Sequence, residues 1–155
     1  MPIRIAETGE AARIHALVSE TIDQCYVGHY TPKIVDSFHK FHDFDSIMSD
    51  IIAEKCYIFG ENGEILGTVT ADGAHVRRLF VSPRAQGKGV GKELLFFAES
   101  AAYAGGETFC EVDSSVPAES FYRRLGYTLR EECEDDFYGE NVRWKVFEYA
   151  LPRRR

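Results

Sequence analysis

The segment His75–Leu95 constrains this chain more than any other, because it combines an apolar run, a glycine-rich loop and a helical pattern. It reads H-V-R-R-L-F-V-S-P-R-A-Q-G-K-G-V-G-K-E-L-L. The β-branched and aromatic residues up to Val81 predict a strand that Pro83 ends. Three glycines follow, and from Val90 onward the apolar residues have helical spacing. A loop that opens a helix in this way presents unpaired backbone N–H groups and the positive end of the helix dipole, which predicts a phosphate-binding site.

The spacing of the glycines separates three kinds of phosphate loop. The P-loop pattern G-x-x-x-x-G-K-[ST] fails because Gly87 and Gly91 are one residue too close, and Glu93 stands where a hydroxyl should bind magnesium. The dinucleotide pattern G-x-G-x-x-G fails because the chain reads G-x-G-x-G, without an evident βαβ unit opening on it. The pattern that fits is [QR]-x-x-G-x-[GA], in which Gln86 is followed by Gly89 and Gly91.

A second motif lies downstream, where Ser115–Tyr127 reads S-x-P-A-x-x-F-Y-R-R-L-G-Y. Together the two motifs resemble those of the GNAT family of acetyl-CoA-dependent N-acetyltransferases, at the expected separation. The family's order of elements can be laid over nearly the whole chain. The resemblance implies an α+β (α/β-like) fold: one domain with a mixed, mostly antiparallel sheet of six to seven strands. Helices would flank this sheet, which would be splayed where the cofactor enters.

Length and composition indicate one soluble domain. The chain has 155 residues, of which 45% are hydrophobic and 28% charged; we assign 1–151 to the domain and expect the basic tail 152–155 to fray. No apolar run approaches the ~20 residues of a membrane span. The segment Met1–Glu10 lacks the pattern of a signal peptide, so we expect a cytoplasmic protein.

Charge and cysteine usage narrow the classes of ligand. The formal net charge of −7 argues against nucleic acid and anionic membranes as partners. The four cysteines lack C-x-x-C spacing, so they predict neither a disulfide framework nor a metal site. The acidic run Glu131–Asp136 is typical of a solvated bend. Its alternative interpretation is attraction of a cationic substrate.

The resemblance assigns cofactor binding to backbone groups and small residues. Main-chain groups of the strand would hold the pantetheine like an added strand, and the glycine loop would hold the diphosphate. Ser115 stands where the family often has asparagine, so that contact differs from the family pattern. The implied cofactor-binding residues are Leu79, Phe80, Val81, Gln86, Gly87, Lys88, Gly89, Val90, Gly91, Lys92, Ser115, Phe121 and Tyr122.

Tyr122 matches the family tyrosine that acts as the general acid. A phenol with a pKa near 10 stays protonated at neutral pH and can donate its proton to a departing thiolate. The alternative is a core aromatic residue of a short helix. Helical geometry predicts that Phe121 and Leu125 form the buried face, that Ser115 caps the helix, and that Tyr122 faces the cleft.

The general base stays open between several groups. Glu111 and Asp113 lie two residues apart on the predicted fifth strand and therefore share one face. Asp113 is the first choice because it is nearer to the end of that strand. His75 has a suitable pKa, but it is expected at the far end of its strand from the thioester. Ordered water in place of a dedicated base is a further alternative.

The resemblance places the acceptor pocket between the loop after the first helix and the C-terminal strands. Aromatic residues and histidines in these two regions are the candidates for it. The predicted substrate-binding residues are Tyr26, His29, Tyr30 and Trp144, with His39, His42, Phe137 and Tyr138 as further candidates.

We conclude that the sequence predicts an N-acetyltransferase that moves an acetyl group from acetyl-CoA to a primary amine. Transfer would occur by direct attack in a ternary complex, and the acceptor would be a small amine-bearing metabolite. The alternatives are a non-catalytic acyl-CoA sensor or regulatory module, a protein N-terminal acetyltransferase, and an enzyme for longer acyl groups. A homodimer is compatible with the resemblance.

Overall fold

Seven strands pair into one sheet in the computed structural model of the protein, which describes residues 2–154. In chain order they are β1 (Ile3–Ile5), β2 (Cys56–Glu61), β3 (Glu64–Asp72), β4 (His75–Val81), β5 (Phe109–Ser114), β6 (Thr128–Phe137) and β7 (Glu140–Ala150). Across the sheet the order is β1-β2-β3-β4-β5-β7-β6. Strands β4 and β5 run parallel, whereas the other neighbouring pairs are antiparallel. The predicted fold class is confirmed.

Five α-helices connect these strands. They are α1 (Ala11–Cys25), α2 (Pro32–Phe41), α3 (Phe44–Ile52), α4 (Val90–Ala104) and α5 (Glu119–Arg124). Short 3-10 turns precede several of them, among them Pro83–Ala85 before the glycine loop and Val116–Ala118 before α5. In the described part of the chain, no helix is both long and apolar enough to cross a membrane.

The hairpin between β2 and β3 follows the turn chemistry of the sequence. Glu61 pairs with Glu64, so Asn62 and Gly63 form a two-residue turn. Both turn residues have positive φ angles, 53° and 77°, which the favoured hairpin turns require and which Asn-Gly supplies at low cost. This turn sets the register in which β3 begins to pair with β2.

Two hydrophobic clusters form the core of the fold. In one cluster, α4 packs on the sheet through residues such as Leu94. In the other, α1 and α3 pack on the sheet through residues such as Ile14 and Ile47. Gly67 on β3 permits the close approach of α4, because a Cβ atom there would lie 2.8 Å from a Leu94 methyl group.

Strands β4 and β5 separate soon after they begin to pair. Their register comprises only two pairs, His75 with Glu111 and Val76 with Val112, within the described residues. Beyond these pairs Arg78 has a φ of 50°, and the pairing of β4 with β3 shifts register at the same level. A bulge of this kind bends a strand away from its neighbour. The predicted splay of the sheet is therefore present between β4 and β5.

The acidic run Glu131–Asp136 is part of a strand, so its interpretation as a bend is wrong. These residues belong to β6 and pair with β7 from Glu131–Val146 to Asp136–Asn141. Strand β6 is at one edge of the sheet, and charged side chains are common on edge strands because they discourage further pairing. The charge run indicated solvent exposure, but it did not indicate the absence of regular structure.

The expectation of a frayed tail is wrong for Arg153. Its guanidinium donates two hydrogen bonds of 2.7 Å to the Glu99 carboxylate and one of 2.8 Å to the Leu125 carbonyl. Glu99 is 3% exposed on α4 and also accepts a 2.6 Å hydrogen bond from the Tyr127 hydroxyl. A buried carboxylate needs such a partner, and no local pattern in the sequence indicated this long-range pair.

Replacing Arg153 with alanine should lower the free energy of unfolding by about 2–3 kcal/mol, because it leaves the Glu99 carboxylate buried without its cation. This loss is smaller than the roughly 3–5 kcal/mol typical of breaking a fully buried ion pair, because the Arg153 side chain is still 19% exposed. Urea unfolding measures the change. The matched control is Arg154→Ala, which removes the same charge from an exposed neighbour. Equal stabilities of the two variants would contradict the assignment.

Candidate functional site

A groove opens where β4 and β5 diverge, with a cavity volume of about 520 Å³. It lies between the second half of β4, the glycine loop at the start of α4, and α5. Its lining includes Leu79, Phe80, Val81, Gln86, Gly87, Gly89, Gly91, Lys92, Ser115, Phe121 and Tyr122. Most of the residues that the sequence assigned to the cofactor therefore meet in one groove. Lys88 and Val90 belong to the same loop but do not line this cavity.

The main chain of β4 offers hydrogen-bonding groups to this groove. The Ser82 N–H donates to the Leu66 carbonyl at 2.8 Å. Phe80 lies two residues earlier, so its main-chain groups also face β3, where it pairs with Thr68. Because the direction of hydrogen bonding alternates along a strand, the main-chain groups of Leu79 and Val81 face the other way, toward the open side. An extended ligand can bind there as an additional strand.

The glycine loop presents main-chain donors at the end of the groove. Gly87 and Gly89 have φ angles of 79° and 87°, and a Cβ atom at either would meet nothing within 4 Å. The first backbone bond of α4 runs from the Glu93 N–H to the Gly89 carbonyl at 3.0 Å. Among the described residues, the N–H groups of 87–92 have no backbone acceptor. Such a cradle of free donors at a helix N-terminus fits a diphosphate.

Side chains add to the donors at the glycine-loop end of the groove. The Gln86 amide donates to the Val81 carbonyl at 3.1 Å, which fixes the loop against β4. Lys92 and Arg124 both line the groove, and each carries a positive charge suited to a phosphate. The sequence motif pointed to Lys92. It did not point to Arg124, because the contribution of α5 to this end of the groove depends on tertiary packing.

A second cavity of about 230 Å³ lies next to the groove. Aromatic rings from α2, β6 and β7 form one wall, and polar groups from β4 and β5 form another. The aromatic residues of the wall are Phe38, Phe41, Phe137 and Trp144. The polar residues that line the cavity include Ser37, His42, His75, Arg77, Arg78, Asp113, Ser114 and Ser115.

Tyr122 lies where the two cavities adjoin, since it lines both of them. Its side chain is 5% exposed, and burial raises the pKa of its phenol above the usual value of 10. None of the described residues hydrogen-bonds to its hydroxyl, and no buried side-chain oxygen lacks a partner. The hydroxyl therefore opens into the cleft and keeps its proton at neutral pH.

The packing of α5 differs from the prediction. Tyr122 is the buried residue of this helix, whereas Phe121 and Leu125 are half-buried. The Phe121 ring instead lies against the start of α4, where a Cβ atom on Gly91 would approach it to 3.3 Å. Ser115 precedes the turn before α5, but its side chain makes no cap hydrogen bond. The prediction of a Ser115 cap is wrong. Phe121 and Leu125 pack against the core as predicted, but Tyr122 is more deeply buried than either of them.

Asp113 is held between two donors in the second cavity. One carboxylate oxygen accepts a hydrogen bond from Trp144 Nε1–H at 3.2 Å, and the other lies 2.9 Å from His75 Nε2. This pairing raises the pKa of the His75 imidazole. His75 is the first residue of β4, at the end away from Leu79–Val81 as expected, but the parallel pairing of β4 with β5 brings it within hydrogen-bonding distance of Asp113 in the second cavity.

Glu111 shares a face of β5 with Asp113, but it makes different contacts. Its carboxylate accepts a hydrogen bond from Arg130, and it lies outside the lining of both cavities. Of the two predicted carboxylates, Asp113 is therefore the one in the cavity.

The predicted acceptor residues divide between the two cavities and the surface. Tyr26 is buried and lines both cavities, and burial raises its pKa to about 12. The Tyr30 hydroxyl accepts a 2.8 Å hydrogen bond from the Val116 N–H, so it anchors the turn before α5. Trp144 lines the second cavity, whereas His29 is exposed and lines neither cavity.

The sequence did not single out a cluster of charges at the other end of the second cavity. Asp50, which is 6% exposed on α3, accepts hydrogen bonds from Arg77 and from Arg78. Arg78 also donates to His42 Nδ1 at 3.1 Å. Burial, with a smaller contribution from the Arg78 charge, lowers the pKa of His42 to about 3. His42 is therefore neutral in the pocket.

These features together define a class of CoA-dependent acyltransferases. They are a splayed sheet, a groove that can take an added strand, a glycine loop at a helix N-terminus, and a tyrosine hydroxyl that is open to the groove. A family model of the acetyltransferase (GNAT) domain matches residues 26–150. The chain belongs to the GNAT family of acetyltransferases. It is an acetyl-CoA-dependent N-acetyltransferase, and acetyl transfer to amines is the general reaction of the family.

Solved structures of the same fold cover nearly the whole chain. A GCN5-related N-acetyltransferase from Rhodopseudomonas palustris has a TM-score of 0.90 and 22% identity, over 96% of this chain and 94% of that one. PaiA N-acetyltransferase from Thermoplasma acidophilum, in complex with coenzyme A, has a TM-score of 0.77 and 16% identity, over 96% and 98%. A polyamine N-acetyltransferase from Drosophila melanogaster has a TM-score of 0.71 and 16% identity, over 96% of this chain and 99% of that one. No curated protein matches the sequence.

Proposed function

We propose that this enzyme acetylates the primary amine of a small metabolite, which binds in the second cavity and reacts by direct attack in a ternary complex. The observation that carries the proposal is the position of the Tyr122 hydroxyl, open at the junction of the cofactor groove and a separate polar cavity. The volume of about 230 Å³ supports a small acceptor. The Drosophila relative forms N-acetylagmatine, which is consistent with an amine-bearing metabolite.

Acetyl-CoA supplies a thioester whose carbonyl carbon an amine can attack. The residues that would hold it are the main chain of Leu79 and Val81 and the donors of 87–92, with Lys92 and Arg124 at the phosphates. Tyr122 holds a proton on its hydroxyl, because burial raises its pKa. It would give that proton to the departing thiolate and recover one from solvent.

Asp113 and His75 would together remove the proton of the amine. The Asp113 carboxylate attracts the ammonium form and orients the imidazole of His75 through the 2.9 Å contact. An imidazole with a raised pKa is a better acceptor for the proton of an ammonium group than an isolated carboxylate is, because its pKa is closer to that of the ammonium group. The neutral imidazole is the active form in this proposal, so activity should fall as pH drops below the His75 pKa.

Replacing Asp113 with asparagine should lower kcat/KM at neutral pH by at least ~10-fold without weakening acetyl-CoA binding. It should also move the acid limb of the pH profile to lower pH, because the imidazole loses the carboxylate that raises its pKa. A pH–rate profile and NMR titration of His75 measure the two effects. His75→Gln should abolish this limb. If both variants retain the wild-type limb, the base is water.

A thiol-release assay with acetyl-CoA and a panel of primary amines tests the proposed activity. Amine-dependent release of CoA is the expected result. An acyl-CoA sensor would bind the cofactor in a calorimetric titration but would release no thiol with any amine. The release of thiol only with peptides that begin with a free amino group would favour protein N-terminal acetylation instead.

A further inference from the structure

The second cavity has a positive group at one end and a negative group at the other. The Arg78 guanidinium lies 6.0 Å from the centre of the Phe41 ring. The Phe41 ring lies 5.8 Å from Phe137, and Phe137 lies 5.8 Å from Trp144. Trp144 in turn donates its hydrogen bond to Asp113. A row of three aromatic rings therefore separates a guanidinium from a carboxylate.

Arg78 is largely but not fully enclosed, and it is incompletely paired. Its side chain is 10% exposed. Its Nε–H donates to Asp50, and one terminal nitrogen, Nη1, donates to the Phe41 carbonyl and to His42. Within the described residues the other terminal nitrogen, Nη2, has no partner, and no buried side-chain nitrogen is left unsatisfied. This nitrogen is therefore accessible, and the Arg78 side chain contributes to the lining of the cavity.

The charged groups at this end balance, so the free Arg78 nitrogen is distinguished by its hydrogen bonding and not by net charge. Asp50 is shared between Arg77 and Arg78, while Asp72 is shared between Arg77 and Lys55. With Asp43, whose charge also interacts with Arg78, three carboxylates face three cations, and the neutral His42 adds no charge. Both terminal nitrogens of Arg77 are already engaged by these carboxylates. The uncompensated donor is Arg78, and a guanidinium of this kind binds an anion such as a carboxylate.

We propose that the acceptor is an amino acid in the broad sense, with its amine and its carboxylate at opposite ends of an apolar spacer. The carboxylate binds Arg78, the spacer lies along Phe41, Phe137 and Trp144, and the amine reaches Asp113 and the Tyr122 junction. This inference rests on the proposed function for the role of the amine, and it adds the anionic group. A diamine or polyamine would instead bring a second cation against Arg78.

The test is a binding titration by calorimetry on enzyme saturated with CoA, which lacks the acetyl group and cannot react. The ligands are straight-chain ω-amino acids with roughly one to seven methylene groups. Their amine-to-carboxylate distance therefore varies over roughly one to three ring diameters. Each is compared with its carboxamide and with the diamine of equal length. We expect at least one acid to bind at least ~10-fold more tightly than its carboxamide, with the diamine weakest. If no acid exceeds its carboxamide, or if a diamine binds most tightly, the proposal is overturned.

Two variants test whether Arg78 causes the preference for the acid over its carboxamide. Arg78→Gln should remove the preference for acid over carboxamide while CoA affinity is retained. The matched control is Arg77→Gln, which removes an equal charge from the same cluster but should keep the preference. Loss of the preference in both variants, or in neither, would contradict an Arg78 site. If Arg78→Gln does not fold, as thermal unfolding would reveal, the wild-type series still decides.

Thiol release with acetyl-CoA separates this inference from the proposed function. Acids that bind preferentially but release no thiol would refute catalysis and leave the anion site intact. Thiol release from carboxamides and diamines as fast as from the acids, with no binding preference, would refute the anion site and leave the acetyltransferase activity intact.

Discussion

Replacing Gly89 with glutamate should weaken CoA binding about 10²-fold. The new carboxylate would stand among the free N–H donors of 87–92, where the diphosphate is expected, and two like charges about 4 Å apart near a protein surface repel by several kcal/mol. Gly89 also has a φ of 87°, which strains any residue with a side chain. Calorimetric titration of CoA measures the loss of affinity.

The control for this prediction is Gly89→Ala. It carries the same backbone strain but no charge, and its Cβ atom would meet nothing within 4 Å. We expect a much smaller loss of affinity, and the difference between the two variants should shrink as salt is added. If the glutamate variant binds CoA as tightly as the wild type, the phosphate site lies elsewhere.

Replacing Tyr122 with phenylalanine should lower kcat about 10²-fold under conditions in which chemistry limits turnover. Loss of a general acid typically costs ~10²- to 10⁴-fold in rate, and a thiolate with a pKa near 8.5 needs less assistance than an amine leaving group. The substitution keeps the buried ring and removes a hydroxyl that has no partner among the described residues. Folding and CoA affinity should therefore persist.

Two measurements make this test specific. Tyr127→Phe removes a hydroxyl from a neighbouring buried tyrosine whose partner is Glu99, so it should lower stability with a small effect on kcat. A burst of product in rapid-quench experiments would reveal whether product release hides the chemical step. A Tyr122→Phe enzyme with undiminished kcat in the absence of a burst would make Tyr122 a packing residue.

Local sequence determined the elements that depend on neighbouring residues. Asn62–Gly63 predicted its hairpin turn because few residues adopt positive φ angles at low cost. The strand–loop–helix pattern of His75–Leu95 predicted β4, the glycine loop and α4, because the placement of glycines and the period of apolar residues are also local properties. The two motifs also indicated the family, because each is a short pattern with fixed local spacing.

Tertiary structure alone decided which side chains meet. The parallel pairing of β4 with β5 placed His75 beside Asp113, although 38 positions separate them in the chain. The bulge at Arg78 turned that guanidinium toward Asp50 and the second cavity. Arg153 paired with Glu99 on α4 across 54 positions, so the end of the chain was ordered by a buried carboxylate. These contacts depend on strand register and helix packing, which a period or a short motif does not encode.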